Sequence, residues 1–273
     1  MPQANMLSLL RRLLPQRQSE QPEPQGRQRL VADQWPGAIY AIGDIHGCLA
    51  ELQRIEQMIL DDAADTKGEI WLVYLGDYVD RGPNSAGVID HLLTPAPPGT
   101  RRICLAGNHE ELMLAYCRNP AAGAQWMKLG ALETLQSYGI PMAGFTTATL
   151  QARLGSLRSH IPSSHLDFLE SLPVALSLPG LVLVHAGMKP GIPLEEQSDD
   201  VLQWMRYDPA AEPTPRQGML IIHGHTPAAV PYVSPGRICI DTGAYATGRL
   251  TAIRVAPGES PRLLTATTRN PAG

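Results

Sequence analysis

Eight short apolar runs punctuate the chain, at residues 38–42, 70–75, 103–106, 181–184, 219–222, 237–240, 250–255 and 263–267. They are rich in Ile, Val and Leu and bounded by glycine or polar turn residues, which predicts strands, the early ones buried in a sheet. Between them the period of the pattern changes from two to about 3.6. Leu49, Leu52, Ile55, Ile59 and Leu60 form a helical stripe, residues 83–93 predict a second helix closed by the loop 95–99, and residues 111–116 predict a third. Residues 119–172 read as mostly helical, interrupted at Gly139, Pro141 and Pro162. The last third is strand-rich. The whole reads as an α/β protein in which two sheets pack face to face with helices outside. No repeat at solenoid periods is present.

Chemistry gathers where the apolar runs stop. The first three lead into Gly43-Asp44-Ile45-His46-Gly47, Gly76-Asp77-Tyr78-Val79-Asp80-Arg81-Gly82 and Gly107-Asn108-His109-Glu110. Two later ones lead into His185-Ala186-Gly187 and His223-Gly224-His225-Thr226. Open α/β sheets place their ligand sites at the carboxyl ends of strands, which makes Asp44, His46, Asp77, Asn108, His185 and His225 candidate metal ligands. Oxygen and imidazole donors without cysteine suit Mn, Fe, Zn or Mg. Two such ions about 3.5–4 Å apart need a bridging carboxylate, and Asp77 is the candidate. Taken singly, each residue has a plainer reading, because Asp and Asn after a strand make turns or cap helices and a histidine packs in a core. Recurrence at five strand ends is what points to a metal-dependent enzyme.

Composition narrows this picture. A formal net charge of −4 offers no overall attraction to nucleic acid or anionic membrane, so an anionic ligand would have to be held by a focused set of cations. Cys48, Cys104, Cys117 and Cys239 form no paired spacing, and the reading is of reduced, packed thiols in a cytoplasmic protein. No apolar run approaches the length of about 18 residues that a spanning helix needs. Residues 6–14 form a short leucine- and arginine-rich stretch, read either as a surface or partner contact or as a frayed tail, and 15–29 read as a linker. The predicted organisation is therefore a tail over residues 1–36 and one catalytic domain over 37–273. Its insert at 119–172 is either a cap beside the site or scaffolding. His91, His160 and His165 carry no motif and read as solvated; His223 and Asp241 are left between a role behind the ligands and packing.

The five motifs, in this order, resemble those of the PPP branch of the metallophosphoesterases, which includes serine/threonine protein phosphatases and symmetrical diadenosine tetraphosphatases. The resemblance runs from about residue 38 to about residue 268. It implies a four-layer αββα sandwich with a dinuclear metal site at the strand ends. Two divalent ions are implied, Mn first, with Fe, Zn or Mg as alternatives. Asp44 and His46 would hold one ion, Asp77 would bridge, and Asn108, His185 and His225 would hold the second. The resemblance further implies direct attack of metal-bound hydroxide on phosphorus, with Arg81 and Arg206 on the phosphoryl oxygens. His109, oriented by Asp80, would protonate the leaving oxygen. Tyr245 is expected near the pocket.

Departures from the family pattern refine the expectation. Ala106 stands where many eukaryotic protein phosphatases have arginine, Ala186 where they have a second glycine, and their Pro-Asn-Tyr-Cys tail is missing, which favours a bacterial-type member. Pro227 stands where phosphodiesterase relatives have a further histidine, which with Arg81 favours phosphomonoesters. The expected function is a phosphoprotein phosphatase acting on phosphorylated protein or peptide, with symmetrical dinucleoside polyphosphate hydrolysis as the alternative. A non-catalytic phosphate-binding module would have no use for both His109 and Asp80.

Overall fold

The first apolar run shows how a period of two builds the fold. Strand β2 (Ala38–Ile42) is buried at every position. Ala38, Tyr40 and Ile42 join the core beneath the helices, while Ile39 and Ala41 join the core between the sheets. A strand buried on both faces has no polar side to show, so its sequence is continuously apolar. The computed structural model describes residues 26–208 and 218–268.

Strands β3 (Ile70–Tyr74) and β4 (Thr100–Cys104) run parallel to β2, each in direct register with its neighbour. Antiparallel β10 (Arg249–Val255) and β11 (Arg262–Thr267) extend this sheet to the order β11-β10-β2-β3-β4. The facing sheet comprises β1 (Arg29–Val31), β5 (Ala175–Leu178), β6 (Leu181–Val184), β7 (Leu220–His223), β8 (Tyr232–Ser234) and β9 (Arg237–Cys239), in the order β1-β5-β6-β7-β9-β8. Within it β6, β7 and β9 are parallel. Val73, Leu75, Ile103 and Ile253 of the first sheet meet Leu176, Leu183, Ile222 and Ile238 of the second in one apolar layer.

Helices α1 (Leu49–Asp62), α2 (Ser85–Leu93) and α3 (Asn108–Arg118) cover the outer face of the first sheet, with Leu52, Ile55, Val88 and Met113 pointing inward. On the opposite outer face the helical layer is thin: α7 (Asp199–Trp204) sets Leu202 against Val182 and Val184. The four-layer αββα expectation holds. The insert forms a 3-10 turn at Trp126–Lys128 and helices α4 (Ala131–Ser137), α5 (Leu150–His160) and α6 (Ser163–Ser171). Trp126, Leu135, Leu157 and Leu169 are buried in the same core as α1 to α3, so the insert is built into the domain.

Three differences from the predicted elements have physical causes. The tail does not extend to residue 36, because Arg29–Val31 pairs with β5 as an edge strand. Arg27 fastens it by donating to the carbonyls of Leu169, Glu170 and Leu172 at the end of α6, groups that a helix terminus leaves unsatisfied. Strand β5 escaped the pattern because it is only four residues long and flanked by Pro173 and Pro179; β8 is likewise bracketed by Pro231 and Pro235. His165 is not solvated. It is buried, with its ring bonded to Tyr138 Oη (2.9 Å) and Asp90 Oδ1 (3.1 Å). The leucine-rich stretch 6–14 lies outside the described residues, and among those described no helix is long and apolar enough to cross a membrane.

Leu183→Ala empties space in the layer between the sheets and is expected to cost about 2–5 kcal/mol in urea unfolding. Leu263→Ala, at a position 41% exposed on edge strand β11, is expected to stay within about 1 kcal/mol.

Candidate metal centre and its acid

Every candidate ligand sits where a strand has just ended. Asp44 and His46 follow β2, Asp77 follows β3, Asn108 and His109 open α3 after β4, His185 follows β6 and His225 follows β7. The parallel strands of both sheets therefore deliver their carboxyl ends to one place. The turns that aim these side chains are strained. Among the described residues, the non-glycine residues with left-handed backbone are His46 (φ 45°), Asp77 (55°), Asp80 (75°), Arg81 (67°) and His225 (65°), all of them singled out from the motifs. Glu110 holds one of these turns together. Its buried carboxylate accepts from the amides of Gly107 (2.9 Å), Asp77 (2.9 Å) and Tyr78 (2.7 Å).

Two triads of donors converge, His46–Asp77–His109 and Asp77–His185–His225, each with its ligand atoms within 4.8 Å of one another. Asp77 belongs to both: Oδ2 lies 3.5 Å from His46 Nε2, and Oδ1 lies 3.4 Å from His185 Nε2. Asn108 Oδ1 is 3.0 Å and His225 Nδ1 3.2 Å from that same His185 nitrogen. Both His46 and His185 donate Nδ1–H to a backbone carbonyl, that of Val79 (2.7 Å) and of Leu75 (2.9 Å), which turns Nε2 toward the site as the nitrogen that could coordinate a metal. Asp44 stands outside both triads. Its carboxylate accepts from the His225 amide at 3.0 and 3.1 Å, and only glycine fits at 224, where a Cβ would come 1.9 Å from Asp44 Oδ1.

The charge balance suits divalent cations. Burial, then the nearby Asp241, push Asp44 well above the usual carboxylate range. Burial opposes the charge on Asp77 too, but the rings of His185, His109 and His46 outweigh it and hold that carboxyl well below its usual value. Burial likewise opposes a proton on His185, and Asp77 and Asp44 reverse the effect, raising it to about 10. His46 and His225 are instead driven down to about 3, mainly by burial. Asp77 stays ionised and the His46 and His225 rings stay neutral, so the oxygen and imidazole donors fit the metal ions the fold implies.

Beside the candidate metal donors lies His109, the candidate acid. His109 Nδ1 is 2.6 Å from Asp80 Oδ2, and Asp80 is fully buried. Burial works against the imidazolium, yet Asp77 and the Asp80 bond raise the His109 pKa above its ordinary value. Arg81 reaches both rings, with Nη1 2.8 Å from His46 Nε2 and Nη2 2.9 Å from His109 Nε2. Tyr245 does lie at the pocket, edge-on to His46 at 5.3 Å and 4.9 Å beneath the Arg81 guanidinium. Arg206 is exposed after α7, where its charge helps depress the His225 pKa. His223 is packed, with Nδ1 3.0 Å from the Gly224 carbonyl, and Asp241 accepts from the Gly243 amide at 2.9 Å. The motifs gave no sign of Trp126 and Thr134, which donate to the Asp80 carboxylate, or of Trp204, whose ring lies 6.3 Å from His225. The sequence signal for Trp126 and Thr134 is only an aromatic and a polar residue in the 119–172 stretch, while Trp204 stands two residues before Arg206.

Asp77→Asn removes the shared charge and is expected to lower bound Mn, measured by elemental analysis after dialysis, by half or more. Because His185 keeps its proton up to about 10 in the metal-free protein, coordination must displace that proton. Apparent Mn affinity is therefore expected to rise with pH and to level off only as pH approaches about 10, and calorimetry in buffers of different ionisation enthalpy should show proton release.

Comparison with known proteins agrees with this geometry. The chain is 26% identical over 241 residues to the asymmetrical bis(5'-nucleosyl)-tetraphosphatase PrpE of Anoxybacillus flavithermus, covering 78% of this chain and 88% of that one. It is 35% identical over 156 residues to the symmetrical bis(5'-nucleosyl)-tetraphosphatase of Nitrosococcus oceani, a match spanning 56% of this chain and 45% of that relative. In fold it is similar to a serine/threonine phosphatase from Saccharomyces cerevisiae with similarity to human phosphatase PP5, with a TM-score of 0.57 at 15% identity over 90% of this chain and 85% of that one. Residues 37–249 match the calcineurin-like phosphoesterase family, and with its donor set at the strand ends of a two-sheet sandwich the chain belongs to that family of metal-dependent hydrolases.

Proposed function

We propose that this phosphoesterase hydrolyses phosphomonoesters on protein side chains, phosphoserine and phosphothreonine first. The observation that carries the reading is the buried His109–Asp80 pair, 2.6 Å apart and bridged by Arg81 to the metal donors. An alkoxide is a poor leaving group and needs a proton as the P–O bond breaks, which a carboxylate-backed histidine supplies. Divalent metal ions held by Asp44, His46, Asp77, Asn108, His185 and His225 would supply Lewis-acid polarisation of the phosphoryl group and activation of water. Arg81 carries the phosphoryl oxygens: its planar fork already spans His46 and His109, and two of its N–H groups can turn to two oxygens. Asp80 keeps His109 Nδ1 occupied, so Nε2 is the nitrogen that delivers the proton. Arg206, at the exposed rim, adds a second positive charge on the approach of a dianionic ester.

A second reading, hydrolysis of dinucleoside polyphosphates, is favoured by the names of the relatives and by one feature of the rim. Trp204 is 37% exposed with its ring edge-on to His225, an aromatic surface on which a base can stack. The two readings separate in one comparison of kcat/KM for the Mn-loaded enzyme on phosphoserine, phosphothreonine and phosphotyrosine peptides and on diadenosine tetraphosphate. Preference for a phosphopeptide supports the first, and preference for the dinucleotide replaces it with the second.

The acid has its own test. His109→Asn is expected to lower kcat on a phosphoserine peptide by about 100-fold or more and on p-nitrophenyl phosphate by less than about 10-fold, because only the alkoxide needs the proton. Equal losses on both substrates would remove His109 from the acid role.

A further inference from the structure

We propose that Trp126 and Thr134, carried by the 119–172 insert, are positioning residues for the leaving-group acid: they fix the Asp80 carboxylate that in turn fixes His109. The inference rests on the reading of His109 as that acid.

The Asp80 carboxylate is fully buried, and its bonds are divided with little to spare. Oδ2 accepts from His109 Nδ1 at 2.6 Å and from Trp126 Nε1 at 2.7 Å, and Oδ1 accepts from Thr134 Oγ1 at 2.7 Å. Trp126 and Thr134 are themselves 0% exposed, so neither partner can be replaced by solvent. The indole of Trp126 has a single donor, and it is spent here. Thr134 grips the residue at both ends. Its oxygen accepts from the Asp80 amide at 2.7 Å while its proton goes to Oδ1, and Ser85 Oγ, 3.0 Å away, completes the hydroxyl's capacity. Without these donors the carboxylate would keep only its His109 bond and could rotate away from the ring, because a buried acceptor is held in place by its partners.

The same insert grips the next residue. Asp80 and Arg81 are consecutive positions with left-handed backbone, and the Arg81 amide donates to the Gly130 carbonyl at 3.0 Å. Position 130 admits only glycine, since φ is +101° and a Cβ would lie 2.8 Å from the Arg81 nitrogen. The turn from Trp126 to Thr134 is thus folded around Asp80 and Arg81, the proton relay's anchor and the phosphate-binding arginine. This gives the insert a role beyond scaffolding, and one different from a lid.

Simple satisfaction of a buried charge and positioning of an acid make different kinetic predictions. Trp126→Phe keeps the ring and loses the N–H; Thr134→Val loses the hydroxyl, and Thr134→Ser keeps it. The metal-loaded variants would be assayed on phenyl phosphate and p-nitrophenyl phosphate beside His109→Asn, with thermal melts to confirm folding. We expect kcat on phenyl phosphate to fall about 10-fold or more in Trp126→Phe and Thr134→Val, with p-nitrophenyl phosphate kept within about 3-fold, KM little changed and Thr134→Ser near the parent. Equal losses on the two substrates, a change confined to KM, or no change would overturn the proposal while His109→Asn still shows the split. Should Trp126→Phe fail to fold, the contrast between Thr134→Val and Thr134→Ser decides alone. Absence of the split in His109→Asn itself would instead overturn the acid reading on which the inference rests.

Discussion

The site is organised around the buried carboxylate of Asp77, whose two oxygens face histidines from different sheets: His46 after β2 and His185 after β6. A charge in that position is tolerable only because imidazoles surround it and the His109 amide donates to it at 3.1 Å. The requirement runs both ways. The sheets must pack at one separation for the two histidines to meet the same carboxylate, so the apolar layer between them, from Val73 and Leu75 to Leu183 and Ile222, also sets the spacing of the metal donors.

Bringing the candidate ligand side chains to one place from strand ends demands tight reversals, and the backbone bears the strain. Left-handed conformations at His46, Asp77, Asp80, Arg81 and His225 each cost roughly 1–3 kcal/mol and persist only because the surroundings impose them. The surroundings do so through buried hydrogen bonds: Glu110 collects the amides of Gly107, Asp77 and Tyr78, and Thr134 and Gly130 take those of Asp80 and Arg81. These polar contacts sit inside the hydrophobic framework and trade some stability for a fixed geometry. In a metal enzyme that trade favours function, since a ligand displaced by an ångström loses much of its affinity.

Electrostatics at the site is local. The chain carries a net −4, and nothing about its overall charge draws a phosphate in. Arg81 lies against the donor rings and Arg206 at the rim, so cationic groups stand at the mouth of a cluster dense in carboxylates.

The strands, their order of chemistry and the ligand types were legible in the sequence because they obey local rules. A run such as Ala38–Ile42 is apolar throughout because both its faces are buried, and Asp44, Asp77, Asn108, His185 and His225 announce themselves by following such runs. What needed the folded chain is non-local or short. Strand β1 exists only because β5 lies beside it, and the burial of His165 depends on Asp90 and Tyr138 from distant segments. Trp126 and Thr134 lie 46 and 54 residues from Asp80, and no spacing rule joins an indole in a helical insert to a carboxylate in a strand-end turn. Sequence alone determined which residues could carry the chemistry, since residue type and strand position are written along the chain. The tertiary structure decided which of them meet, because hydrogen-bond distances across such separations are set by how the sheets and the insert pack.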